Sequence, residues 1–237
     1  MIIPAFNEER LLGETLRHVR AAITVFPTRD WETELIVCDN NSTDRTPALA
    51  RAAGATVVFE PINQIARARN AGAAAATGDW LIFVDADSHP SAELFADVAG
   101  QIMSGQCLAG GSTVTLDGNY PKARMLARLW NGVSRLFRWP AGSFIFCETQ
   151  AFRKINGFSN ELFASEEINF IKRLKPLARA GRRRIVILHQ HPLTTSARKV
   201  ELYSVREHLW FLTRLILSGG RLLSDRKACH TWYDGRR

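Results

Sequence analysis

Two aspartates and a histidine occupy alternate positions after a run of apolar residues. The segment 81–90 reads Leu-Ile-Phe-Val-Asp-Ala-Asp-Ser-His-Pro, so the three groups are Asp85, Asp87 and His89. In an extended chain these positions point to the same side. Two neighbouring carboxylates repel each other unless a cation lies between them, and hard oxygen ligands favour Mg²⁺ or Mn²⁺. We therefore predict a divalent-metal site that holds substrate phosphates; the alternative is a pair of solvated turn aspartates.

The elements around this segment place it at a sheet edge where ligands bind. The apolar run 81–84 predicts a buried strand, and open α/β sheets bind ligands beyond the carboxyl ends of their strands. The first half of the chain alternates strand and helix patterns, which predicts a mainly parallel, doubly wound sheet. The predicted strands are 2–3, 34–38, 56–59 and 80–84, and the predicted helices are the one that follows 7–9 and continues to about 25, then 47–53 and 66–76.

The second half of the chain is less regular. Its patterns predict helices at 121–139, 166–177 and 200–223, and strands at 143–147 and 185–188. The last of these helices is amphipathic. We therefore expect an irregular second half joined to the sheet, closed by a C-terminal amphipathic helix.

Charge divides the chain into two unequal halves. Residues 1–118 hold 8 Lys and Arg against 15 Asp and Glu, whereas residues 119–237 hold 23 against 8. A basic surface of this size favours anionic partners, such as phosphates, nucleic acid or acidic lipids. The four cysteines are widely spaced, which does not favour a zinc site or a disulfide framework and fits a reducing compartment. No apolar stretch reaches the length of a membrane span.

Six segments resemble the motifs of glycosyltransferase family 2 and follow one another along the chain in the order of that family's motifs. Segment 38–44 is similar to Val-Asp-Asp-Gly-Ser-Thr-Asp, and 68–72 to Ala-Arg-Asn-x-Gly. Segment 156–161 is similar to Gly-Gly-Phe-Asp-Glu, with Asn156 in place of the first glycine. Asn tolerates left-handed backbone geometry, so this turn can survive. The remaining segments are 2–9, which resembles the opening strand and nucleotide loop, 85–87, which resembles the metal-binding Asp-X-Asp, and 166–170, which resembles Glu-Asp-x-Asp-Leu.

This resemblance covers residues 1 to about 200 and implies a GT-A fold, which is Rossmann-like. It also implies an inverting, metal-dependent transfer of a sugar from a UDP- or GDP-sugar to an acceptor hydroxyl. Within one domain, 1–105 would bind the nucleotide-sugar, 106–199 would carry the acceptor side and the catalytic base, and 200–237 would be a helical extension. The acceptor class implied is a glycan, a lipid-linked group or a small molecule.

The resemblance also assigns roles on the donor side. Asp39 and the first loop would hold the base and ribose, and Arg69 and Arg198 would face the nucleotide or its diphosphate. Asp85 would share its role between the ribose and the metal, beside Asp87 and His89. A helix N-cap with first-turn acids is the alternative for the first loop, and an exposed helix arginine is the alternative for Arg69. The first-loop residues assigned to nucleotide binding are Pro4, Ala5, Asn7 and Glu8.

The resemblance places the catalytic base at Glu167, with Glu166 as the second candidate. Inverting transfer requires one general base to take the proton from the attacking hydroxyl. The alternative is a solvated first helical turn, where acidic residues are favoured for electrostatic reasons.

Aromatic residues and arginines alternate along the helix predicted at 121–139. Trp130, Phe137 and Trp139 lie among four arginines there, a composition typical of helices that contact anionic membrane surfaces. The alternatives are that the apolar stripe covers the core or a homodimer interface. We expect a cytoplasmic protein, with the inner face of the cell membrane as the alternative location.

Two other functions compete with glycosyl transfer. A nucleotidyltransferase also places carboxylates and a metal at the end of a parallel sheet, but it usually presents a glycine-rich basic loop, whereas 4–9 is acidic and lacks glycine. A nucleic-acid-binding protein would explain the basic second half. No recognition motif accompanies those charges, and the acidic first half disfavours nucleic acid as a partner.

Overall fold

A computed structural model describes residues 1–26, 30–118 and 120–197, together with the single residues 223, 225 and 229. The first half of the chain contains four parallel strands that alternate with helices, as the sequence predicts. Strand β2 pairs with β1 and β3, and β1 also pairs with β4. The strands are β1 (Ile2–Ala5), β2 (Ile36–Asp39), β3 (Thr56–Phe59) and β4 (Trp80–Val84), and the helices are α1 (Leu12–Ile23), α2 (Thr46–Ala52) and α3 (Ile65–Ala75).

The second half extends the same sheet. The described strands have the order β3-β2-β1-β4-β7-β6-β8-β5, in which β7 is antiparallel to β4 and β6 while β8 is parallel to β6. The result is a mostly parallel α/β sheet with helices on both faces. The further elements are β5 (Ser88–His89), α4 (Ala92–Met103), β6 (Cys107–Leu116), α5 (Pro121–Phe137), β7 (Phe144–Glu148), α6 (Thr149–Lys154), α7 (Glu166–Ala180) and β8 (Arg184–Thr195).

Two apolar clusters lie on opposite faces of the sheet. Along β4, Ile82 and Val84 belong to the cluster beneath α1 and α4, and Leu81 and Phe83 to the cluster beneath α3 and α7. All four side chains are at most 3% exposed. The prediction of a strand buried on both faces is therefore confirmed. Asp85 is the first residue after this buried strand.

Strand β6 was not predicted from the sequence, because two glycines interrupt its apolar pattern. A Cβ atom at Gly110 would lie 2.6 Å from both the Phe146 ring and the Val186 carbonyl oxygen, and one at Gly111 would lie 2.3 Å from Pro140. Only glycine fits where the neighbouring strands approach this closely. The short strand β5 and helices α4 and α6 were also not predicted.

Two predicted elements differ from the structure in their bounds. Helix α1 begins at Leu12, because Asn7 has a φ of 53° and the residues after it form a turn. Strand β8 is much longer than 185–188 and continues to Thr195, because its far end pairs with β5. The helix predicted at 200–223 lies outside the described residues apart from residue 223.

Helix α5 exposes most of its surface. Its buried residues are Ala123 and Ser134. Of the three aromatic residues predicted for a membrane face, Trp130 and Trp139 instead pack against the two apolar clusters, and only Phe137 is substantially exposed, at 48%. Among the described residues, no helix is both long and apolar enough to cross a membrane.

Candidate active site

The carboxyl ends of β1, β2 and β4 bring the predicted donor-site residues to one sheet edge. Ala5, the last residue of β1, lies opposite Asp39, the last residue of β2, and Pro4 lies opposite Cys38. Asp85 follows β4 directly, and its backbone N–H donates to the Ser143 carbonyl at the start of β7, at 3.1 Å. Neighbouring parallel strands therefore converge on the edge predicted from the sequence.

Asn7 joins the first loop to the loop that follows β2. Its side-chain Oδ1 accepts a hydrogen bond from the Thr43 N–H at 2.8 Å, and its own N–H donates to Ser42 Oγ at 3.0 Å. The next backbone N–H, of Glu8, donates to Thr46 Oγ1 at 2.7 Å, and the Glu8 side chain is buried. These contacts fix the shape of the loop that surrounds Asp39.

Asp39 is 5% exposed and holds the turn after β2. Its Oδ1 accepts from the Ser42 N–H at 3.0 Å, and no described residue donates to Oδ2. A carboxylate oxygen in this position is able to accept hydrogen bonds from ribose hydroxyls or from an imide N–H.

Arg69 lies in the interior, where it binds two carboxylates from distant parts of the chain. Its Nη2 donates to Asp85 Oδ1 at 3.0 Å and to the Gly142 carbonyl at 2.7 Å, and its Nη1 donates to Glu166 Oε1 at 2.7 Å. The guanidinium also lies 5.3 Å from the centre of the Phe158 ring. Burial alone would lower the pKa of Arg69, but Asp85 and Glu166 raise it, so the side chain remains a cation.

The backbone turns after Asp85 instead of remaining extended. The Ser88 N–H donates to the Asp85 carbonyl at 3.1 Å, which closes a four-residue turn through Ala86 and Asp87. The Asp87 carbonyl then accepts from the Ser196 N–H at 3.0 Å. The expectation of a continuous extended segment through His89 is therefore wrong, and with it the geometric reason for grouping His89 with the two aspartates.

His89 lies against helix α1. Its ring stacks on that of His18, with the centroids 4.7 Å apart. Burial and the neighbouring His18 lower the pKa of His89, so the ring is neutral at pH 7 and has a lone pair available.

Glu167 lies beside the Arg69 pair at the start of α7. A Cβ atom at Gly142 would be 3.6 Å from the Glu167 carboxyl carbon and 3.6 Å from Arg69 Nη2. Desolvation, followed by repulsion from Glu166, raises the pKa of Glu167 to about 8. Glu166 is 4% exposed and bonded to Arg69, so Glu167 is the more available of the two carboxyl groups.

Two amides that the sequence reasoning did not single out attach the segment 156–162 to the donor side. Asn70 accepts from the Phe158 N–H at 2.9 Å and donates to the Phe158 carbonyl at 2.9 Å. Gln64 donates to the carbonyls of Asn160 and Leu162 at 2.8 and 2.9 Å. The sequence signal was an amide side chain in or just before α3. No local pattern indicates its partners, which are about 90 residues away in the sequence.

The turn at 156–158 has left-handed backbone geometry at two successive residues. Asn156 and Gly157 have φ values of 57° and 63°, so the expectation that Asn can occupy the first position is confirmed. A Cβ atom at Gly157 would lie 2.5 Å from Asn70 Oδ1, which is why the second position requires glycine.

Basic residues in and just after β8, among them the predicted donor-side Arg198, lie apart from this cluster or outside the described residues. His191 pairs with Asp97 of α4, Nδ1 to Oδ2 at 3.0 Å, and His189 is exposed. Arg198 and Lys199 lie outside the described residues.

Comparisons with known proteins place these features in a family. The family model described as Glycosyl transferase family 2 matches residues 1–159. A TPR repeat-containing protein of Synechococcus elongatus is 38% identical over 115 residues, covering 46% of this chain and 26% of that protein. An uncharacterized glycosyltransferase of Mycobacterium bovis is 32% identical over 111 residues, covering 47% of this chain and 46% of that protein. The chain thus spans a quarter to a half of the length of these relatives.

Solved structures share the fold across almost the whole chain. S. aureus TarS, residues 1–349, has a TM-score of 0.64 and 20% identity, covering 97% of this chain and 67% of that one. Glucosyl-3-phosphoglycerate synthase from Mycobacterium tuberculosis, in complex with Mn²⁺, UDP and glucosyl-3-phosphoglycerate, has a TM-score of 0.62 and 18% identity, covering 96% of this chain and 78% of that one. These likenesses show the GT-A fold.

Proposed function

The chain belongs to glycosyltransferase family 2, and from this premise we propose that it transfers a sugar from a nucleoside diphosphate donor to an acceptor hydroxyl, with inversion at the anomeric carbon. Residues 1–105 provide the donor side, and 106–199 provide the acceptor side and the base. TarS has been solved with UDP-GlcNAc and the synthase with UDP, which favours a UDP-sugar over a GDP-sugar as the donor.

One observation carries this proposal. The buried guanidinium of Arg69 bonds Asp85, which follows β4, and Glu166, which begins α7. These two carboxylates are 81 positions apart in sequence. The Asp-X-Asp turn and the helix that carries Glu167 are thereby held at one sheet edge, as a transfer between a bound donor and an activated acceptor requires.

On the donor side, Asp39 accepts hydrogen bonds from the nucleoside. Its free oxygen lies at the edge formed by β1 and β2, beside Pro4 and Ala5. Asn7 and Glu8 act by shaping the loop around it, since their backbone groups are bonded to the loop after β2. Arg69 is 1% exposed, and we assign it to positioning rather than to phosphate contact.

The residues at the turn after β4 fit a hard divalent cation. Asp85 Oδ1 is bonded to Arg69, and the second oxygen of Asp85 together with the Asp87 carboxylate supplies the oxygen donors that Mg²⁺ and Mn²⁺ prefer. Such an ion would neutralise the charge that develops on the departing diphosphate. Arg69 fixes the orientation of Asp85 through this bond.

On the acceptor side, Glu167 takes the proton from the attacking hydroxyl. A pKa of about 8 makes this carboxylate a stronger base than an exposed glutamate. A general base is most effective when its pKa is near the operating pH. Glu166, held by its ion pair with Arg69, orients the first turn of α7.

The experiment that tests the proposal is a nucleotide-release assay with a panel of UDP- and GDP-sugars, run with Mn²⁺, Mg²⁺ or a chelator. We expect release of one nucleoside diphosphate in the presence of a divalent ion, with loss of turnover in Asp87→Ala. Metal-independent release that Asp87→Ala leaves unchanged would exclude the proposed site. With pyrophosphate added to the same panel, metal-dependent formation of nucleoside triphosphate and sugar 1-phosphate would identify a nucleotidyltransferase instead.

A further inference from the structure

Helix α1 and strand β5 bring two imidazoles and a carboxylate together outside the proposed active site. Glu14 and His18 are one turn apart on α1, with Glu14 Oε1 3.9 Å from His18 Nε2. The ring of His89, on β5, stacks on the ring of His18 at 4.7 Å. One ligand atom from each residue lies within 4.8 Å of the other two.

The cluster has an unsatisfied group on its inner side and access from solvent on its outer side. His89 Nε2 is buried and has no hydrogen-bond partner among the described residues, and leaving such a group unpaired is unfavourable. The side chains of Glu14 and His18 are 47% and 45% exposed. An ion from solvent therefore has direct access to two of the three candidate ligands, and their exposed side chains are able to adjust.

The backbone beneath the cluster is fixed. Thr15, which lies next to Glu14, donates its buried hydroxyl to the Ala86 carbonyl at 2.8 Å. This bond attaches α1 to the turn between Asp85 and Ser88. His89 and the two α1 residues are therefore held on elements that are already joined, as ligands of one ion must be.

We propose that Glu14, His18 and His89 bind a transition-metal dication of the zinc type, at a site separate from the donor-site metal. Imidazole nitrogens suit Zn²⁺, Co²⁺, Ni²⁺ and Cu²⁺, whereas Mg²⁺ and Mn²⁺ favour oxygen ligands. Two histidines and a glutamate supply three ligands of a tetrahedral site and leave the fourth position to water.

The geometry requires only side-chain adjustment. Ligand atoms of tetrahedral Zn²⁺ are about 3.3 Å apart, given metal–ligand distances of about 2.0–2.1 Å. The present separations of up to 4.8 Å close by rotation of the exposed Glu14 and His18 side chains. The bound ion would then link α1 to the turn that carries Asp87, and would stabilise the folded protein because the unfolded chain lacks the site.

Zinc titration of the metal-stripped full chain tests the proposal, with a chromophoric chelator as competitor and Co²⁺ as a spectroscopic substitute. We expect one ion per chain, a tetrahedral Co²⁺ spectrum and a zinc-dependent rise in the thermal midpoint. His18→Ala should weaken zinc binding at least tenfold, and Glu14→Gln should weaken it severalfold. His189→Ala removes an exposed histidine elsewhere, and Asp87→Ala removes the donor-site carboxylate; both should keep the wild-type zinc affinity.

Two results would overturn the proposal. The first is a zinc affinity in His18→Ala and Glu14→Gln equal to that of the wild type. The second is loss of zinc binding in His189→Ala or Asp87→Ala but not in His18→Ala. Because His18 and Glu14 lie on an exposed helix face, their variants should unfold at nearly the wild-type midpoint without zinc. If His18→Ala does not, Glu14→Gln alone decides the outcome.

Discussion

Arg69 Nη1 donates to Glu166 Oε1 at 2.7 Å, and both side chains are almost completely buried. A buried charge that loses its partner costs far more than a surface pair contributes. The same guanidinium bonds Asp85, so the pair connects the turn after β4 to the start of α7. The geometry of the proposed site therefore depends on the buried ion pairs of Arg69.

Arg69→Met should lower the free energy of unfolding by about 3–5 kcal/mol, because it leaves Glu166 and Asp85 facing an apolar side chain. Urea denaturation followed by circular dichroism measures the change. Arg67→Met is the matched control, since Arg67 is on the same helix and, among the described residues, its side chain bonds only Gln64 one turn away. Equal losses in both variants would contradict the central position assigned to Arg69.

Glu167 should give the reaction a pH dependence that an ordinary glutamate would not. With a pKa raised to about 8, the free enzyme is mostly protonated at pH 7, so kcat/KM should rise as pH increases through about 8. Glu167→Gln should reduce kcat by about 10²–10⁴-fold while donor binding persists. Loss of turnover in Glu166→Gln, with activity kept in Glu167→Gln, would move the base by one residue.

The same carboxyl group should affect stability with the opposite trend. Because the folded state holds the Glu167 proton more tightly than the unfolded state, stability is greatest below about pH 4.5 for this group and is lost as pH rises through about 8. Glu167→Gln removes this loss. We therefore expect the variant to gain stability relative to the wild type between pH 5 and pH 9 in urea titrations, and a constant difference would show an unperturbed carboxyl.

The sequence predicted the elements whose local pattern was strong. Strand β4 and its flanking Asp85 could be located because four apolar residues end at a carboxylate, and α3 because alanines favour a helix. Strand β6 could not, because Gly110 and Gly111 reflect contacts with other strands rather than a local preference. The candidate site followed the same rule: motif order predicted Asp39 and Asp85, and both lie at the carboxyl ends of neighbouring strands.

The sequence could not predict which side chains from distant segments bind each other. An arginine after strand β3 is an ordinary surface residue by composition, and only the folded sheet shows Arg69 between two carboxylates. His89 was grouped with Asp87 by alternation, which holds only for extended backbone. The turn between Asp85 and Ser88 instead places His89 against α1, and no local sequence pattern indicates that turn.

Asn70 should be required for the segment that precedes α7. Asn70→Ala removes both hydrogen bonds to the Phe158 backbone and leaves buried groups unpaired, at about 1–3 kcal/mol of stability. Hydrogen exchange at 156–162 should increase, because the amide holds this turn. Asn63→Ala alters a partly exposed residue before α3 and should leave exchange there unchanged; faster exchange in both variants would refute the specific role.

Asp87→Ala should weaken the metal-dependent binding of the donor. Asp87 would hold the ion that neutralises charge on the departing diphosphate, so its removal should reduce kcat by about 10²–10³-fold, and the Mn²⁺ concentration for half-maximal rate should rise. Asp79→Ala is the control, because Asp79 is exposed at the other end of the same strand. Nucleotide release over a Mn²⁺ series measures both effects, and an Asp87→Ala curve that overlays the Asp79→Ala curve would remove Asp87 from the metal site.

Helix α5 carries an exposed apolar stripe beside a basic one. Leu129 and Leu136 are 63% and 77% exposed, and 121–137 contains four basic residues and no acidic one. An apolar stripe flanked by cations is complementary to an anionic lipid surface. The prediction that this helix contacts an anionic membrane can therefore be tested at these leucines.

Leu129→Glu combined with Leu136→Glu should therefore remove binding to phosphatidylserine-containing vesicles in a sedimentation assay. Phosphatidylcholine vesicles should bind the wild type weakly, and added salt should weaken binding to the anionic vesicles because charged contacts are screened. Met103→Glu changes an equally exposed apolar residue on α4 and should leave binding intact. Vesicle binding that survives the double substitution would reject the membrane role, and a loss of dimers in ultracentrifugation instead would assign the stripe to a second copy of the chain.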